Sequence, residues 1–323
     1  MKLFVLFILL TNIINAQDFY TIDNDYLRKK AEIDSLKNSK NLLWTCIKYN
    51  ELLSSKYNYL PTDLFHAAQQ NAIFGNYQKT YLLLEKLSED KNYVSFFDIE
   101  NAVAFSKINN EKRFLEITAK VKSNWQQYID TFSHSEIAKE LVKLYAQDQI
   151  TRNNLMFLST ILDSVPNESL LMKEMKINDS LNLISILNIL DKFAWLSKKE
   201  VGFVNTVYFQ IFQHASFVTQ KKYFNLIENA YKEEKMESYE YALFIDRFLI
   251  GSGKKQKYGS QLKMYKNKWV VFPIENPHQI NIIRTQMSME PIENYLKTMG
   301  IEWSLDEYIK IEKELCKFFN ISP

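Results

Sequence analysis

The chain has 323 residues, of which 46% are hydrophobic and 14% aromatic. A composition this rich in core-forming side chains excludes global disorder, and the length is typical of about two domains. The formal net charge is +2, so the overall charge gives no argument for a nucleic acid or another polyanion as partner.

Residues 1–16 have the pattern of a secretion signal. Lys2 gives a short positive segment, residues 3–10 are apolar, and a polar stretch ends at the small residue Ala16. A membrane-spanning helix needs roughly 20 apolar residues, and Thr11 interrupts this run much earlier. We therefore expect cleavage after Ala16, a periplasmic or secreted mature chain, and no transmembrane segment once the signal is removed.

The chain contains only six glycines and six prolines. Long segments therefore lack a helix breaker, and apolar residues recur at helical spacing along most of the sequence. This pattern predicts a mainly α fold. The pattern pauses near residue 130 before a new helix at Ser135, so we divide the mature chain into a helical region, 17–130, and a helical domain, 131–323.

Residues 63–90 predict two helices joined by a tight turn, with Asp63 capping the first helix. A small residue in the first helix, two turn residues and a large apolar residue in the second helix follow a known repeat pattern: Ala68, Gly75, Tyr77 and Leu84. The segment thereby resembles a tetratricopeptide repeat, and the resemblance implies stacked helical pairs across the N-terminal region. A generic helical bundle is the alternative.

Three of the six glycines, Gly251, Gly253 and Gly259, fall within nine residues. Such clustering indicates positive φ angles or a close approach of the backbone. The helix before this loop carries Asp246 on its apolar side, and a buried carboxylate needs a hydrogen-bond or cationic partner. Aromatic and β-branched residues after the loop predict a small β-hairpin near 258–273.

The glycine-rich loop does not match a nucleotide phosphate loop. Lys254 follows a glycine, but the required spacing and the following Ser or Thr are missing. Backbone amides in such a turn remain suited to a small anionic ligand.

Seven basic residues and no acidic ones lie between Arg247 and Ile274, interleaved with aromatic side chains. This stretch has two interpretations, a polyanion-binding surface or a solvated hairpin whose lysines protect its edge. Because the chain is nearly neutral and is expected to be exported, we favour the solvated hairpin and expect no nucleic-acid partner.

From about Leu141 onward, short polar motifs follow one another in a fixed order. They are Asp148-Gln149 with Arg152, Gln213-His214-Ala215, Asp246-Arg247, Gly253-Lys254 with Gln256, Tyr258, Gly259 and Gln261, and then Pro273-Ile274 and Arg284. This series resembles a bacterial family of unknown function. The resemblance implies a domain but does not imply any particular activity. The sequence has Ser216 where the family pattern has an aspartate, so the resemblance supplies no carboxylate beside His214.

The polar motifs offer a catalytic hypothesis, in which His214 is a general acid or base, Asp246 orients it, and Arg247 or Arg152 holds an anionic group. The candidate binding residues are Asp148, Gln149, Arg152, Gln213, Lys254, Gln256, Tyr258, Gln261 and Arg284. The alternative is a buried polar network that fixes helix packing. Since no nucleophile motif is present, we favour a structural network or a binding pocket over catalysis.

The two cysteines, Cys46 and Cys316, and the four scattered histidines lack the spacing of a zinc site, so we predict no metal and no cofactor. An exported protein could join these two cysteines in a disulfide, but we favour two buried, unpaired thiols. The predicted function is an exported scaffold that binds a protein or peptide partner in the cell envelope, or a ligand. The alternative is a hydrolase built on His214, Asp246 and Arg247.

Overall fold

The computed structural model describes residues 24–54, 59–91, 93–266, 268–297 and 299–322. The predicted signal peptide, residues 1–16, lies outside them. The described chain is mainly α-helical with one small antiparallel sheet, which confirms the predicted fold class. Within these ranges, the apolar stretches of the helices are all too short or too polar to cross a bilayer.

The chain divides into two compact units. The division between Asn178 and Asp179 falls inside one long helix, Glu168–Phe193. The N-terminal unit runs up to Asn178 and includes the segment Glu200–Phe203, while the C-terminal unit contains Asp179–Lys199 and the chain from Val204 onward. The domain boundary expected near residue 130 stays a prediction.

The helices of the N-terminal unit follow each other closely along the chain. They are α1 (Asn24–Asn38), α2 (Leu42–Ser54), α3 (Pro61–Ile73), α4 (Tyr77–Glu89), α5 (Phe96–Asn101), α6 (Lys112–Ile129), α7 (Ser135–Ile161) and the first part of α8 (Glu168–Phe193). Helix α1 packs on α2, α2 packs on α3, and α3 packs on α4. Their shared core is apolar and includes Leu52, Leu84 and Phe114.

The turn between α3 and α4 forms where the sequence predicts it. Gly75 adopts φ +70°, and the side chain of Asn76 accepts a hydrogen bond from the Lys79 amide, capping α4. Asp63 is not the N-cap of α3, because the helix already begins at Pro61. It is instead the third helical residue, and its carboxylate reaches back to accept the Leu60 amide at 3.0 Å.

The Asp63 carboxylate is the centre of a buried polar network in the N-terminal unit. It accepts hydrogen bonds from the Tyr26 hydroxyl at 2.8 Å and from the Lys30 ammonium at 2.7 Å. Burial opposes the charge of Lys30, but Tyr49 and Asp63 outweigh it and raise the pKa of the ammonium. Asp63 therefore satisfies three donors that come from α1 and from the start of α3.

The C-terminal unit contains short helices around one hairpin. Its helices are the second part of α8, α9 (Lys198–Val201), α10 (Thr206–His214), α11 (Phe217–Lys222), α12 (Phe224–Lys232), α13 (Ser238–Gly251), α14 (Ile280–Thr285), α15 (Ile292–Lys297) and α16 (Leu305–Phe319), although the last two residues of α9 belong to the N-terminal unit. Strands β1 (Leu262–Tyr265) and β2 (Lys268–Val271) pair with Leu262 opposite Val271. This confirms the predicted hairpin.

Three lysines of the hairpin region contact acidic or aromatic side chains. Lys255 and Lys266 form ion pairs with Glu312 and Glu314 of α16, with N–O distances of 2.9 and 2.7 Å. The ammonium of Lys263 lies over the Phe272 ring at 5.6 Å from its centroid. The two ion pairs offset part of the local basic charge, which agrees with the solvated-hairpin interpretation.

Both cysteines are buried and unpaired thiols. Burial raises the pKa of Cys46 and of Cys316, so both favour the neutral thiol form.

Glu240, near the start of α13, is a buried titratable group. Its side chain is 1% exposed, and its carboxylate accepts hydrogen bonds from the Thr206 hydroxyl and from the Glu237 amide. Burial raises the pKa of Glu240 to about 7. The native state therefore keeps a proton that an unfolded chain releases near its ordinary pKa of about 4.3, and stability falls as pH rises through that window.

Glu240→Gln is expected to remove this pH dependence, because the amide does not ionise. At about pH 8 the variant should melt at a higher temperature than the wild type, and at about pH 4 the two should melt together. Thermal unfolding across pH, with the exposed Glu302→Gln as control, measures the difference. If the melting temperature of Glu240→Gln depended on pH in the same way as that of the wild type, this carboxyl would not be the titrating group.

Candidate functional site

The Asp246 carboxylate holds the glycine-rich loop in place. It lies on α13 and is completely buried. One oxygen accepts the amides of Lys257 at 2.7 Å and Tyr258 at 2.8 Å, and the other accepts the Ser260 amide at 2.8 Å. Burial raises the pKa of Asp246, and these amide bonds oppose that rise. The partners that a buried carboxylate requires are therefore backbone amides of the loop.

Gln256 ties the same loop to the strand that follows it. Its side chain is fully buried; the amide nitrogen donates to the carbonyls of Gln261 at 3.1 Å and Phe272 at 2.9 Å. Its side-chain oxygen accepts the Gln261 amide at 2.8 Å. These hydrogen bonds hold the loop against the chain that follows β2.

Arg284, in α14, also binds the backbone of the glycine-rich loop. Its guanidinium donates to the carbonyls of Tyr258 at 2.7 Å and Glu290 at 2.6 Å, and the side chain is 1% exposed. Gly259 lies between these contacts with φ +68°, and a Cβ there would approach Ile292 to 2.7 Å. Only glycine fits that backbone position without rearrangement.

Arg247 connects the loop to the end of α10. Its guanidinium donates to the Gln213 carbonyl at 2.7 Å and to the side-chain oxygen of Gln261 at 3.2 and 3.3 Å. Lys254, in contrast, is exposed. The structure thus brings most of the sequence-predicted residues of this region into one network, the loop framework: Arg247, Asp246, Gln256, Tyr258, Gln261 and Arg284.

Asp148, Gln149 and Arg152 form a buried cluster on α7. Arg152 donates to the Asp148 carboxylate at 3.1 Å, and Gln149 donates to it at 2.5 Å. The three residues are 1%, 2% and 3% exposed, respectively. A spacing of four residues places Arg152 one helical turn after Asp148, which explains the pairing. Asp148 and Arg152 therefore form a buried ion pair within α7, in the N-terminal unit.

His214, the last residue of α10, lies beside Asp179 of α8 within the C-terminal unit. A ring nitrogen of His214 and a carboxylate oxygen of Asp179 lie within 4.8 Å of each other. Both side chains are partly exposed, unlike the sealed side chains of Asp246 and Gln256. Sequence reasoning selected His214 but missed Asp179, which no motif marks.

Buried amides with unused hydrogen-bonding atoms occur on the same two helices. Neither side-chain polar atom of Asn182 has a partner among the residues that the structure describes, although the residue is 1% exposed. The side-chain oxygens of Gln210 and Gln213 also lack a partner within the described ranges. Asn182 follows Asp179 by three residues and Gln210 precedes His214 by four, so each shares a helix side with its neighbour.

Such unpaired buried groups cost about 1–3 kcal/mol each, so native proteins retain few of them. An ordered water, an ion or a ligand can supply the missing partners of such groups. An imidazole beside a carboxylate can exchange protons, donate or accept hydrogen bonds, or bind a cation. We call Asp179 and His214, with Asn182 and Gln210 beside them, the His–Asp centre.

Comparison with known proteins gives one match. The sequence profile of DUF6624, described as a family of unknown function, matches residues 135–307. The matched segment is more than half of the chain and contains the motif residues from Asp148 to Arg284. No curated protein and no solved structure matches the chain.

Proposed function

The chain belongs to the DUF6624 family of unknown function, and we propose that it is an exported binding protein whose ligand contacts His214 and Asp179. The observation that carries this proposal is the approach of the His214 imidazole to the Asp179 carboxylate on partly exposed side chains. Asn182, buried beside them with unused hydrogen-bonding atoms among the described residues, supports it.

The distribution of hydrogen bonds favours binding over the hydrolase alternative. That alternative uses Asp246 to orient His214 and Arg247 to hold an anion. The Asp246 carboxylate accepts three loop amides, and Arg247 donates to Gln213 and Gln261. Each of these side chains has a role in the loop framework, and the carboxylate close to His214 is that of Asp179.

Export is part of the proposal and rests on the pattern of residues 1–16. Protein recovered from the periplasm or the medium should begin at Gln17 when its N-terminus is sequenced. A chain that stays in the cytoplasm with Met1 intact would contradict the export.

If the protein binds a ligand at the His–Asp centre, the rise in melting temperature that the ligand causes should depend on His214. Inorganic phosphate, citrate, glucose and a short acetylated peptide serve as probes, each added in the presence of EDTA. A probe that occupies the centre should raise the melting temperature of the wild type, because it binds the native state alone. The shift should be lost in His214→Ala and retained in His278→Ala, which removes an exposed histidine.

The same variants test the enzyme alternative with p-nitrophenyl phosphate and p-nitrophenyl acetate. Turnover that disappears in His214→Ala would replace the binding proposal by the hydrolase. If no probe and no metal ion shifts the wild-type melting temperature in a His214-dependent way, the binding proposal fails.

A further inference from the structure

We propose that His214 and Asp179 bind a divalent transition-metal ion of the zinc class. The inference rests on the proposed function, since it names the class of ligand that the His–Asp centre takes. Its starting point is that one imidazole nitrogen and one carboxylate oxygen, from helices α10 and α8, lie within 4.8 Å of each other.

The separation suits two ligands of one ion. Zinc binds histidine nitrogen and carboxylate oxygen at about 2.1 Å, so two such ligand atoms lie at most about 4.2 Å apart. The bound of 4.8 Å on the separation of the two atoms is close to that range. Both side chains are partly exposed, so an ion can reach them from solvent.

The ligand types select among cations. Imidazole nitrogen binds zinc, copper, iron and nickel, while magnesium and calcium prefer sites made of oxygen ligands. The pairing of His214 with Asp179 therefore favours a zinc-class ion over magnesium or calcium.

The neighbouring amides fit an outer shell around such an ion. A histidine that binds a metal usually donates its second ring N–H to an acceptor, and a carboxylate ligand usually receives a hydrogen bond. Gln210, one turn before His214, has a side-chain oxygen with no partner within the described ranges, and Asn182, one turn after Asp179, has an unused amide N–H₂. The hydrogen-bonding groups needed to orient both ligands are thus on the same helix sides.

Two ligands from this centre leave coordination positions of the ion for water or an exogenous group. Structural zinc sites use four protein ligands, whereas sites that bind or transform a ligand keep an open position. A metal held by His214 and Asp179 would therefore give the proposed binding protein a direct contact for an anionic ligand group.

Titration of the mature chain with Zn²⁺ tests the inference. Protein covering residues 17–323 is treated with EDTA, dialysed and titrated by calorimetry. We expect one zinc-binding event in the wild type and in His278→Ala, weakened about tenfold or more in both Asp179→Asn and His214→Gln. The two substitutions are close in size to the native side chains, and circular dichroism confirms that each variant is folded.

Substitution with Co²⁺ separates this centre from the thiols. The wild type should show visible d–d bands without the near-ultraviolet charge-transfer band that a thiolate such as Cys46 or Cys316 would add. A thiolate band, no zinc binding, or unchanged affinity in both variants would overturn the metal assignment. If zinc fails while a probe of the ligand panel still depends on His214, the binding proposal stands alone; if both fail, both are wrong.

Discussion

Asp246→Ala is expected to lower the free energy of unfolding of the C-terminal unit by at least about 3 kcal/mol, because a buried donor left unpaired costs about 1–3 kcal/mol. Three amide donors, those of Lys257, Tyr258 and Ser260, lose their acceptor together. The cavity left by the carboxyl group adds to the loss.

Urea unfolding followed by circular dichroism measures the change in stability, and hydrogen exchange locates it. The amides of residues 257–260 should exchange much faster in Asp246→Ala than in the wild type. Glu275→Ala is the matched control, because it removes an exposed carboxylate close in sequence to the loop framework. Equal unfolding midpoints for the two variants would contradict the assignment of Asp246 to the framework.

Asp63→Ala is expected to destabilise the N-terminal unit by about 3–5 kcal/mol, the usual cost of removing one partner of a buried ion pair. The substitution leaves the Lys30 ammonium, the Tyr26 hydroxyl and the Leu60 amide without their shared acceptor. It also removes the carboxylate that favours the charged form of Lys30.

The unfolding midpoint of Asp63→Ala should lie well below that of Glu100→Ala, which alters an exposed carboxylate of the same unit. Asp63→Asn should fall between them, since the amide keeps one acceptor oxygen. Similar midpoints for Asp63→Ala and Glu100→Ala would mean that the network stabilises the unit less than the burial of Asp63 implies.

Features with local signals could be predicted from the sequence. Gly75 and Asn76 mark the turn between α3 and α4 because glycine accepts a positive φ and asparagine caps the next helix. The start of α7 at Ser135 follows from a change in apolar periodicity, and the hairpin after Gly259 follows from its aromatic and β-branched residues. The sequence prediction placed the N-cap of α3 at Asp63. The actual N-cap is Leu60, three residues earlier, because the helix begins at Pro61.

Features that depend on tertiary pairing could not be predicted. Asp246 was expected to be buried from its helix face, but nothing local shows that its partners are the backbone amides of a loop. Asp179 lies 35 residues before His214 on another helix, and the pair exists only because α8 and α10 meet. Zinc-site spacing rules detect ligands that are close in sequence, so they do not test a pair as distant in sequence as Asp179 and His214.

The most direct test of the His–Asp centre is the NMR spectrum of the protein with isotope-labelled histidine. The chain has four imidazoles, those of His66, His134, His214 and His278, and their resonances can be assigned by substitution. On addition of Zn²⁺, or of a probe that raises the melting temperature, we predict that the ring nitrogens of His214 shift while the other three stay in place. Binding that leaves His214 unchanged, or that moves another histidine instead, would contradict the account.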